Sequence, residues 1–273
     1  MKRGLIVFGV ILAGLVVVIL AMSQKNPYSG RVLPVEMTPE DESALGTHMA
    51  PWMSQQLGGL DPDTDAQGMV TAAGDRIAGA AVAGGSTYRF QFHVLADTAL
   101  AEAYALPGGH IFLTRGLLER LENEAQLAGV LAHQVAHVLA RHTVKPFTRA
   151  DTTAGAVRRV LDRTYGVEEE TEADTLSVRL LGNAGYDPRA LIELLRVAEE
   201  ATRLGGGRGF SLRHPFPEDR RKLLNEAIAR TYAQGIPSTL TLGRWFAPEP
   251  PESPDHADEM EEHDPADSAA AVD

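Results

Sequence analysis

Residues 127–142 read LAGVLAHQVAHVLARH, and this stretch decides how the chain is expected to fold. From Glu124 to Arg141 there is no proline and a single glycine, and apolar residues recur at helical spacing, which predicts an α-helix. At about 100° per residue, positions four apart lie roughly 40° apart around a helix, so His133 and His137 project from the same face. His142, five residues past His137, is expected to face elsewhere and to be structural.

A second segment could supply the third protein ligand that a zinc site needs. The run ETEAD at 170–174 is followed by apolar residues at helical spacing, so Glu170 and Asp174 are expected on one face of another helix. One carboxylate there can bind a metal, and the other can accept the outer N–H of a histidine ligand. The same run is also typical of an ordinary first helical turn, because carboxylates interact favourably with the helix dipole there.

The order of these motifs resembles one family of proteins. LAGVLAHQVAHVLARH followed by EEETEADTLSVRLLGNAGYDP is similar to the membrane-associated zinc metalloendopeptidases of the HtpX, BepA and Oma type, gluzincins with an HExxH helix and an ExxxD helix. Three further segments resemble parts of that family: TPEDESALG from residue 38, ALPGGHIFLTRGLLERL at 105–121 and RHPFPEDRRKLL from residue 213. The resemblance covers the chain from about Leu33 to Gln234.

Carried over to this chain, the resemblance implies one Zn²⁺ ion per chain, held by His133, His137 and Glu170. Asp174 would accept a hydrogen bond from the outer N–H of a histidine ligand and so orient that ligand. His214 would lie near the metal, either binding the transition-state oxyanion or occupying the open coordination position. The implied activity is that of an endopeptidase of extracytoplasmic protein quality control, which hydrolyses peptide bonds of exposed or misfolded polypeptides.

The chain departs from the family pattern at Gln134, where HExxH enzymes have glutamate as the general base. A glutamine amide cannot accept a proton at neutral pH, and loss of a general base typically costs about 10²–10⁴ in rate, whereas metal binding should survive. Gln134 fits a non-catalytic relative that binds zinc and unfolded segments as an adaptor or holdase. It also fits an introduced substitution, or an enzyme that recruits another base such as Glu102 or His214. Glu102 itself stands where the family usually has asparagine.

The segment before the histidine helix could bind the substrate. Pro107-Gly108-Gly109 precedes a short apolar strand, His110 to Thr114. If this strand is a sheet edge beside the metal, a peptide could add to it as a further strand. An ordinary buried hairpin strand is the alternative. The residues expected to contact the peptide main chain are Gly108, Gly109, His110 and Ile111.

The N-terminus predicts a membrane anchor. Leu5 to Met22 is a run of 18 apolar or small residues, near the length that spans a bilayer, and Lys2 and Arg3 precede it. Basic residues before the span favour a cytoplasmic N-terminus, with the rest of the chain on the extracytoplasmic (periplasmic) side. Ala21-Met22-Ser23 could instead be a signal-peptide cleavage site, which would make the protein secreted. The sequence has no cysteine, so neither a lipoprotein anchor nor a disulfide framework is available.

Acidic residues are concentrated near the C-terminus. The net charge is −12, and Pro248 to Asp273 alone holds ten acidic residues and no Lys or Arg, which leaves about −2 for the remainder. A tail of this composition should be disordered. The remainder lacks the basic excess that nucleic-acid binding needs, so nucleic acid is not an expected partner.

The expected architecture is α+β: a mostly helical, zincin-like metallopeptidase domain with a small β-sheet, plus one N-terminal transmembrane helix. Thr38 should open a first helix, a second should run near Asp65 to Ala83, and Tyr88 to Val94 alternates as a strand. The oligomeric state is not indicated. The expected regions are the anchor at 1–23, a linker at 24–37, the metallopeptidase-like domain at 38–246 and the acidic tail at 247–273.

Overall fold

The computed structural model describes residues 23–26, 28, 30, 32–34, 37–147, 154–203, 214 and 219–246. The predicted anchor from Leu5 to Met22 and the predicted acidic tail at 247–273 lie outside the described residues. Among the residues that are described, no helix is both long and apolar enough to cross a bilayer.

Helices dominate the described part of the chain, and a small sheet lies among them. A single 3₁₀ turn, Pro107–Gly109, joins two of the strands. The predicted α+β class is therefore confirmed. In chain order the elements are β1 (Ser23–Lys25), β2 (Val32–Pro34), α1 (Pro39–Gln56), α2 (Thr64–Ala83), β3 (Gln91–Leu95), β4 (Ala103–Ala105), β5 (His110–Thr114), α3 (Arg115–Leu118), α4 (Glu124–Leu139), α5 (Ala154–Leu161), α6 (Val167–Asn183), α7 (Ala190–Arg203) and α8 (Arg220–Thr231).

The histidine helix α4 is the centre of the domain. It begins where the sequence predicts, because Asn123 Oδ1 accepts a hydrogen bond from the backbone N–H of Gln126 at 3.0 Å. All residues from Ala125 to Leu139 are buried, and the helix contacts α2, α6, α7 and β4. A helix covered on every side needs apolar and small residues all round, as this one has. The two histidines are therefore held in the interior.

The first helix, α1, is fixed at its start and along its length. Thr38 and Asp41 form a capping box, in which the Thr38 N–H donates to Asp41 Oδ2 at 2.9 Å and the Asp41 N–H donates to Thr38 Oγ1 at 3.2 Å. Further along, Gly46 lies directly against the 3₁₀ turn. A Cβ atom at Gly46 would lie 1.9 Å from the carbonyl oxygen of Pro107, so the close approach requires glycine.

The strand β5 is the central strand of the three-stranded sheet, whose order is β3-β5-β4. β3 pairs with it in parallel, with Phe92 opposite Ile111, and β4 pairs with it antiparallel, with Tyr104 opposite Phe112. The expectation that His110 to Thr114 forms a sheet edge is therefore wrong, because both of its sides are already paired. The parallel partner joins from an earlier segment, and a local sequence pattern does not reveal such a pairing.

The outer side of β3 is also covered. The side-chain amide of Gln67 donates to the carbonyl of Phe92 at 2.8 Å and accepts from the N–H of Val94 at 3.0 Å. The N–H of Asp61 donates to the carbonyl of Val94 at 2.9 Å. Within the described residues, β4 is paired with β5 alone, so β4 presents the remaining edge of this sheet.

The sheet separates two apolar clusters. Ile111 and Leu113 point to the larger cluster, which includes the buried residues of α2, α4, α6 and α7. Phe112 and Tyr104 point to the smaller cluster, formed with α1 and α5. Alternate residues of a strand face opposite sides of a sheet, so β4 and β5 contribute to both clusters. This packing fixes α4 against one face of the sheet.

Candidate metal centre

Four side chains from three parts of the chain converge in the interior. His133 and His137 come from α4, Glu170 from α6, and His214 from the segment before α8, and all four are buried. Nε2 of His133 lies 3.1 Å from Nε2 of His137 and 3.1 Å from Nδ1 of His214. Nδ1 of His214 lies 2.9 Å from Oε1 of Glu170. The carboxylate oxygens of Glu170 lie 3.4 Å from Nε2 of His133 and from Nε2 of His137.

This spacing fits a tetrahedral zinc ion. Donor atoms about 2.0–2.1 Å from the centre of a tetrahedron lie about 3.3 Å apart, close to the separations seen here. Three imidazoles and one carboxylate are also the donor types that zinc takes. The donor set and its spacing therefore fit the metal that the sequence predicts.

The protonation of the donor groups differs within the cluster. Burial opposes a charged His133, but Asp174 and Glu170 raise its pKa above the ordinary value. Burial lowers the pKa of His137 well below its ordinary value and also lowers that of His214. Burial alone would raise the pKa of Glu170, but His214, His133 and His137 together hold it well below its ordinary value. The carboxylate is therefore charged, while His137 and His214 are in the neutral form that a metal ligand needs.

Asp174 and Arg220 support the first histidine and the carboxylate. Oδ1 of Asp174 lies 3.1 Å from Nδ1 of His133, a contact in keeping with the role that the family resemblance implies for Asp174. Arg220 of α8 contacts the Asp174 carboxylate through Nε and Nη2, and its Nη1 lies 2.9 Å from Oε2 of Glu170. Sequence reasoning missed Arg220. A single arginine at the start of a polar helix gives no signal that it is buried.

His142 lies against the second histidine, and the expectation that it faces elsewhere is wrong. Its Nδ1 is 3.0 Å from Nδ1 of His137, on the side of that ring away from the donor cluster. Its Nε2 is 3.4 Å from Oε2 of Glu172. Both rings are buried. On a continuous helix, side chains five residues apart would point in different directions. Here α4 ends at Leu139, between His137 and His142, so this rule does not apply to them.

Tyr165 covers the other side of His137. The two rings are stacked with centroids 3.8 Å apart, and the Tyr165 ring lies 5.1 Å from that of His214. Sequence reasoning also missed this residue, since it stands alone in a loop before α6. The aromatic ring restricts the His137 imidazole to one plane.

Gln134, where the family resemblance implies a general base, lies beside His214. Its Nε2 is 3.3 Å from Nε2 of His214, and its buried Oε1 has no hydrogen-bond partner among the described residues. If His214 binds a metal through Nδ1, its Nε2 carries the hydrogen. Turning the amide by 180° then makes Oε1 the acceptor for that N–H. The Gln134 amide can thus hold His214 in place.

The residues predicted to bind substrate contact α1, the neighbouring strand β3 and the core. Gly108 packs on α1, where a Cβ atom would lie 2.2 Å from Cα of Ser43. A Cβ atom at Gly109 would lie 3.1 Å from Cδ1 of Phe90 and 3.3 Å from the carbonyl oxygen of Arg89. His110 contacts Thr47 at 3.3 Å and stacks with His93. Ile111 is in the core of the domain. The predicted peptide addition to their strand is wrong for the reason given above.

Glu102, the other departure from the family pattern, is buried immediately before β4. Its backbone N–H donates to Thr114 Oγ1 at 3.0 Å, and its carbonyl accepts the N–H of Thr114 at 3.0 Å. The backbone at Glu102 is therefore tied to the end of β5.

Comparison with known proteins finds a peptidase family over the part of the chain that includes the histidine helix. Residues 65–157 match the family model described as Peptidase family M48. Mitochondrial metalloendopeptidase OMA1 of Schizosaccharomyces pombe is 31% identical over 166 residues, which cover 54% of this chain and 49% of that protein. The beta-barrel assembly-enhancing protease of Yersinia pestis is 28% identical over 171 residues, 51% of this chain and 35% of that protein.

A third relative has a similar identity to this chain. Mitochondrial metalloendopeptidase OMA1 of Arabidopsis thaliana is 29% identical over 163 residues, 53% of this chain and 33% of that protein. The chain spans about half or less of the length of these curated relatives. The predicted resemblance to the HtpX, BepA and Oma type is confirmed, and so is zinc as the metal that the cluster is built for.

Proposed function

We propose that this chain, a relative of the M48 peptidases, is a zinc metalloendopeptidase of the protein quality-control type that acts on exposed or misfolded polypeptides. The observation that carries the proposal is the buried cluster of donor atoms from His133, His137, Glu170 and His214, with separations that suit one zinc ion. The histidine pair on one helix and the carboxylate on a later helix are the arrangement that such peptidases use.

Within this site each side chain has a distinct task. His133, His137 and Glu170 would hold the ion, which when bound polarises a peptide carbonyl and lowers the pKa of water towards about 7. Asp174 orients His133 through the 3.1 Å contact with its Nδ1. Gln134 can hydrogen-bond a water molecule or His214 but cannot take up a proton, so proton transfer is the weakened step.

His214 makes the observed arrangement a closed one. Structural zinc sites have four protein ligands, whereas catalytic sites keep one position open. Because Nδ1 of His214 lies within 3.1 Å of donors on both α4 and α6, it would occupy the fourth position of a bound ion. Binding of a peptide carbonyl to such an ion would then require His214 to move away.

For the polypeptide substrate, β4 is the binding edge that the topology favours. The edge of β3 is covered by Gln67 and Asp61, and β5 is central. β4 contacts the histidine helix, so a chain that adds to β4 would run beside α4. Recognition through backbone hydrogen bonds suits substrates of varied sequence.

A second candidate function rests on Gln134. With an amide at the position of the base and a fourth protein ligand, the chain would bind zinc and unfolded segments without cleaving them, as an adaptor or holdase. The two candidates share the metal centre and differ in turnover alone.

A cleavage assay on the full chain distinguishes the two candidates. Zinc-loaded wild type, Gln134→Glu and a His133→Ala control are incubated with unfolded casein. Peptidase function predicts slow cleavage by the wild type, an increase of about 10²–10⁴ in Gln134→Glu, and no cleavage by His133→Ala. Cleavage by Gln134→Glu alone establishes the non-catalytic alternative. A purified, folded wild type that takes up no zinc would overturn both candidates.

The proposed location is a membrane, with Leu5 to Met22 as a single N-terminal anchor and the domain on the extracytoplasmic side. Secretion after cleavage near Ser23 is the alternative. The mass of the N-terminal peptide, measured on protein recovered from membranes and on protein recovered from the soluble extracytoplasmic fraction, tests both. A peptide that begins at Met1 or Lys2 supports the anchor, and one that begins near Ser23 supports secretion.

A further inference from the structure

We propose that His142 is a positioning residue for the metal centre, which connects His137 to the carboxylate of Glu172. The proposal rests on the zinc site proposed above, since it concerns how one of its ligands is held. Its basis is the pair of contacts already described, 3.0 Å between the Nδ1 atoms of His137 and His142 and 3.4 Å between Nε2 of His142 and Glu172.

The turn after α4 brings His142 back onto the helix. The N–H of His142 donates to the carbonyl of His137 at 2.9 Å, and the N–H of Arg141 donates to the carbonyl of Val138 at 2.9 Å. These two bonds define a Schellman motif, with Arg141 as the left-handed residue that is usually glycine. Because the chain reverses at this residue, the next side chain lies against the last helical turn. The contact between the two histidines takes the place of the apolar contact that normally closes this motif.

Arg141 is held in its unusual conformation by α1. It has φ of 60° and is the one non-glycine residue with positive φ in the described part of the chain. Its Nε donates to Oε1 of Glu42 at 2.7 Å, and its Nη2 contacts both Glu42 and the carbonyl of Met37. The other oxygen of Glu42 accepts from the Tyr88 hydroxyl at 2.7 Å. A buried ion pair thus fixes the residue that presents His142.

Only one assignment of hydrogens satisfies these contacts when His137 binds an ion. Nε2 of His137 faces the donor cluster, so it must offer its lone pair and Nδ1 must carry the hydrogen. His137 Nδ1–H then donates to Nδ1 of His142. The remaining hydrogen of His142 is on Nε2, which faces the Glu172 carboxylate. The result is a directed chain of hydrogen bonds from the ligand to a carboxylate.

Such a chain fixes the tautomer and the ring orientation of His137 and increases its basicity as a ligand. Loss of an outer partner of this kind typically costs about 10–100-fold in metal affinity or activity. His133 has a comparable partner in Asp174, at 3.1 Å. Each of the two histidines on α4 therefore has a partner at its outer ring nitrogen. For His133 this partner is the Asp174 carboxylate. For His137 it is the His142 ring, which in turn contacts the Glu172 carboxylate.

The test measures the zinc dissociation constant of the full chain by competition with a chromophoric chelator. His142→Leu removes the acceptor and should weaken zinc binding about 10–100-fold. His142→Asn keeps an oxygen acceptor near the position of Nδ1 and should recover most of the affinity. His48→Leu is the matched control, since His48 is exposed on α1, and it should bind zinc as the wild type does.

Glu172 supplies a second variant should His142→Leu fail to fold. Glu172→Leu removes the far end of the chain and should weaken zinc binding several-fold, while Glu168→Leu, at an exposed position on the same helix, should not. Melting of the metal-free proteins separates positioning from general destabilisation. Equal zinc affinity in wild type, His142→Leu and Glu172→Leu would overturn the proposal, and so would a loss that His142→Asn shares in full. Absence of zinc from the wild type itself would instead overturn the proposed function.

Discussion

Arg220 at the start of α8 forms a two-point ion pair with Asp174 in the middle of α6. Nε lies 2.8 Å from Oδ2 and Nη2 lies 2.9 Å from Oδ1, and both residues are buried. Burial opposes ionisation of both groups, but the pair lowers the pKa of Asp174 and raises that of Arg220. The same guanidinium donates to the carbonyl of His214 at 3.2 Å through Nη1. One side chain therefore joins α8, the ExxxD helix and the fourth donor.

Replacing Arg220 should destabilise the domain and the metal centre together. Arg220→Leu leaves the carboxylate of Asp174 buried without its partner, which is expected to cost about 3–5 kcal/mol of unfolding free energy. Urea denaturation of the metal-free protein measures this. The matched control is Arg221→Leu, because Arg221 forms an exposed pair with Glu199 at 3.2 Å, and a change of about 0–1 kcal/mol is expected there. Equal losses in the two variants would contradict the assigned role.

Removing His214 should open the fourth position without emptying the site. His214→Ala leaves His133, His137 and Glu170, the three-ligand set of a catalytic zinc site. We expect weaker but retained zinc binding, and tighter binding of a small hydroxamate to the zinc-loaded variant than to the wild type. Calorimetric titration of the metal-free proteins with zinc measures the first, and titration of the zinc-loaded proteins with the hydroxamate measures the second. If the wild type binds the hydroxamate as tightly as His214→Ala does, His214 is not a ligand in solution.

Close packing of α1 on the 3₁₀ turn favours glycine at position 46. Gly46→Ala would place a methyl group 1.9 Å from the backbone oxygen of Pro107, where neither helix nor turn can yield freely. A loss of about 1–3 kcal/mol in unfolding free energy is expected. A methyl group at Gly79 in α2 would have no other atom within 4 Å, so Gly79→Ala should stabilise by about 0.5–1 kcal/mol. Denaturation midpoints of the two variants should therefore move in opposite directions.

The stacked pair of His93 and His110 should make the metal-free domain sensitive to mild acid. Burial, assisted by the neighbouring His110, lowers the pKa of His93 to about 4, against an ordinary value near 6.5. The unfolded chain therefore binds this proton first as the pH falls. The contribution of neutral His93 to the free energy of unfolding is fully present above about pH 6.5 and is lost progressively as the pH falls to about 4.

His93→Phe tests this dependence, because the ring also stacks on Phe112 with centroids 4.7 Å apart and phenylalanine can keep that contact. The variant should lose less stability than the wild type between pH 6.5 and pH 4.5 in thermal melting of metal-free protein. Parallel curves for the two proteins would show that His93 does not titrate in this range.

Short-range signals in the sequence were sufficient for several parts of the structure. The cap at Asn123, the capping box of Thr38 and the shared face of His133 and His137 each depend on residues within four positions of one another. Their geometry follows from the helical repeat alone. The spacing of Glu170 and Asp174 placed both on one face of a helix, and the family resemblance implied which of them would bind the metal.

Other features depended on contacts between distant segments. The pairing of β3 with β5 makes β5 central, and no alternation within His110 to Thr114 distinguishes a central strand from an edge. The prediction that His142 faces away from His137 was wrong because the position of His142 depends on Arg141, which has a left-handed backbone conformation. That conformation is stabilised by Glu42, which lies 99 residues earlier in the chain.

The sequence by itself determined that this chain carries a histidine pair, a carboxylate pair and a glutamine between the two histidines, because those are properties of residue type and helical spacing. The tertiary structure decided which further groups meet them. Arg220, His142 and Tyr165 reach the site through the packing of α8, the turn after α4 and the loop before α6. Burial and neighbouring charge set the protonation of each donor, and both arise only when these segments pack together.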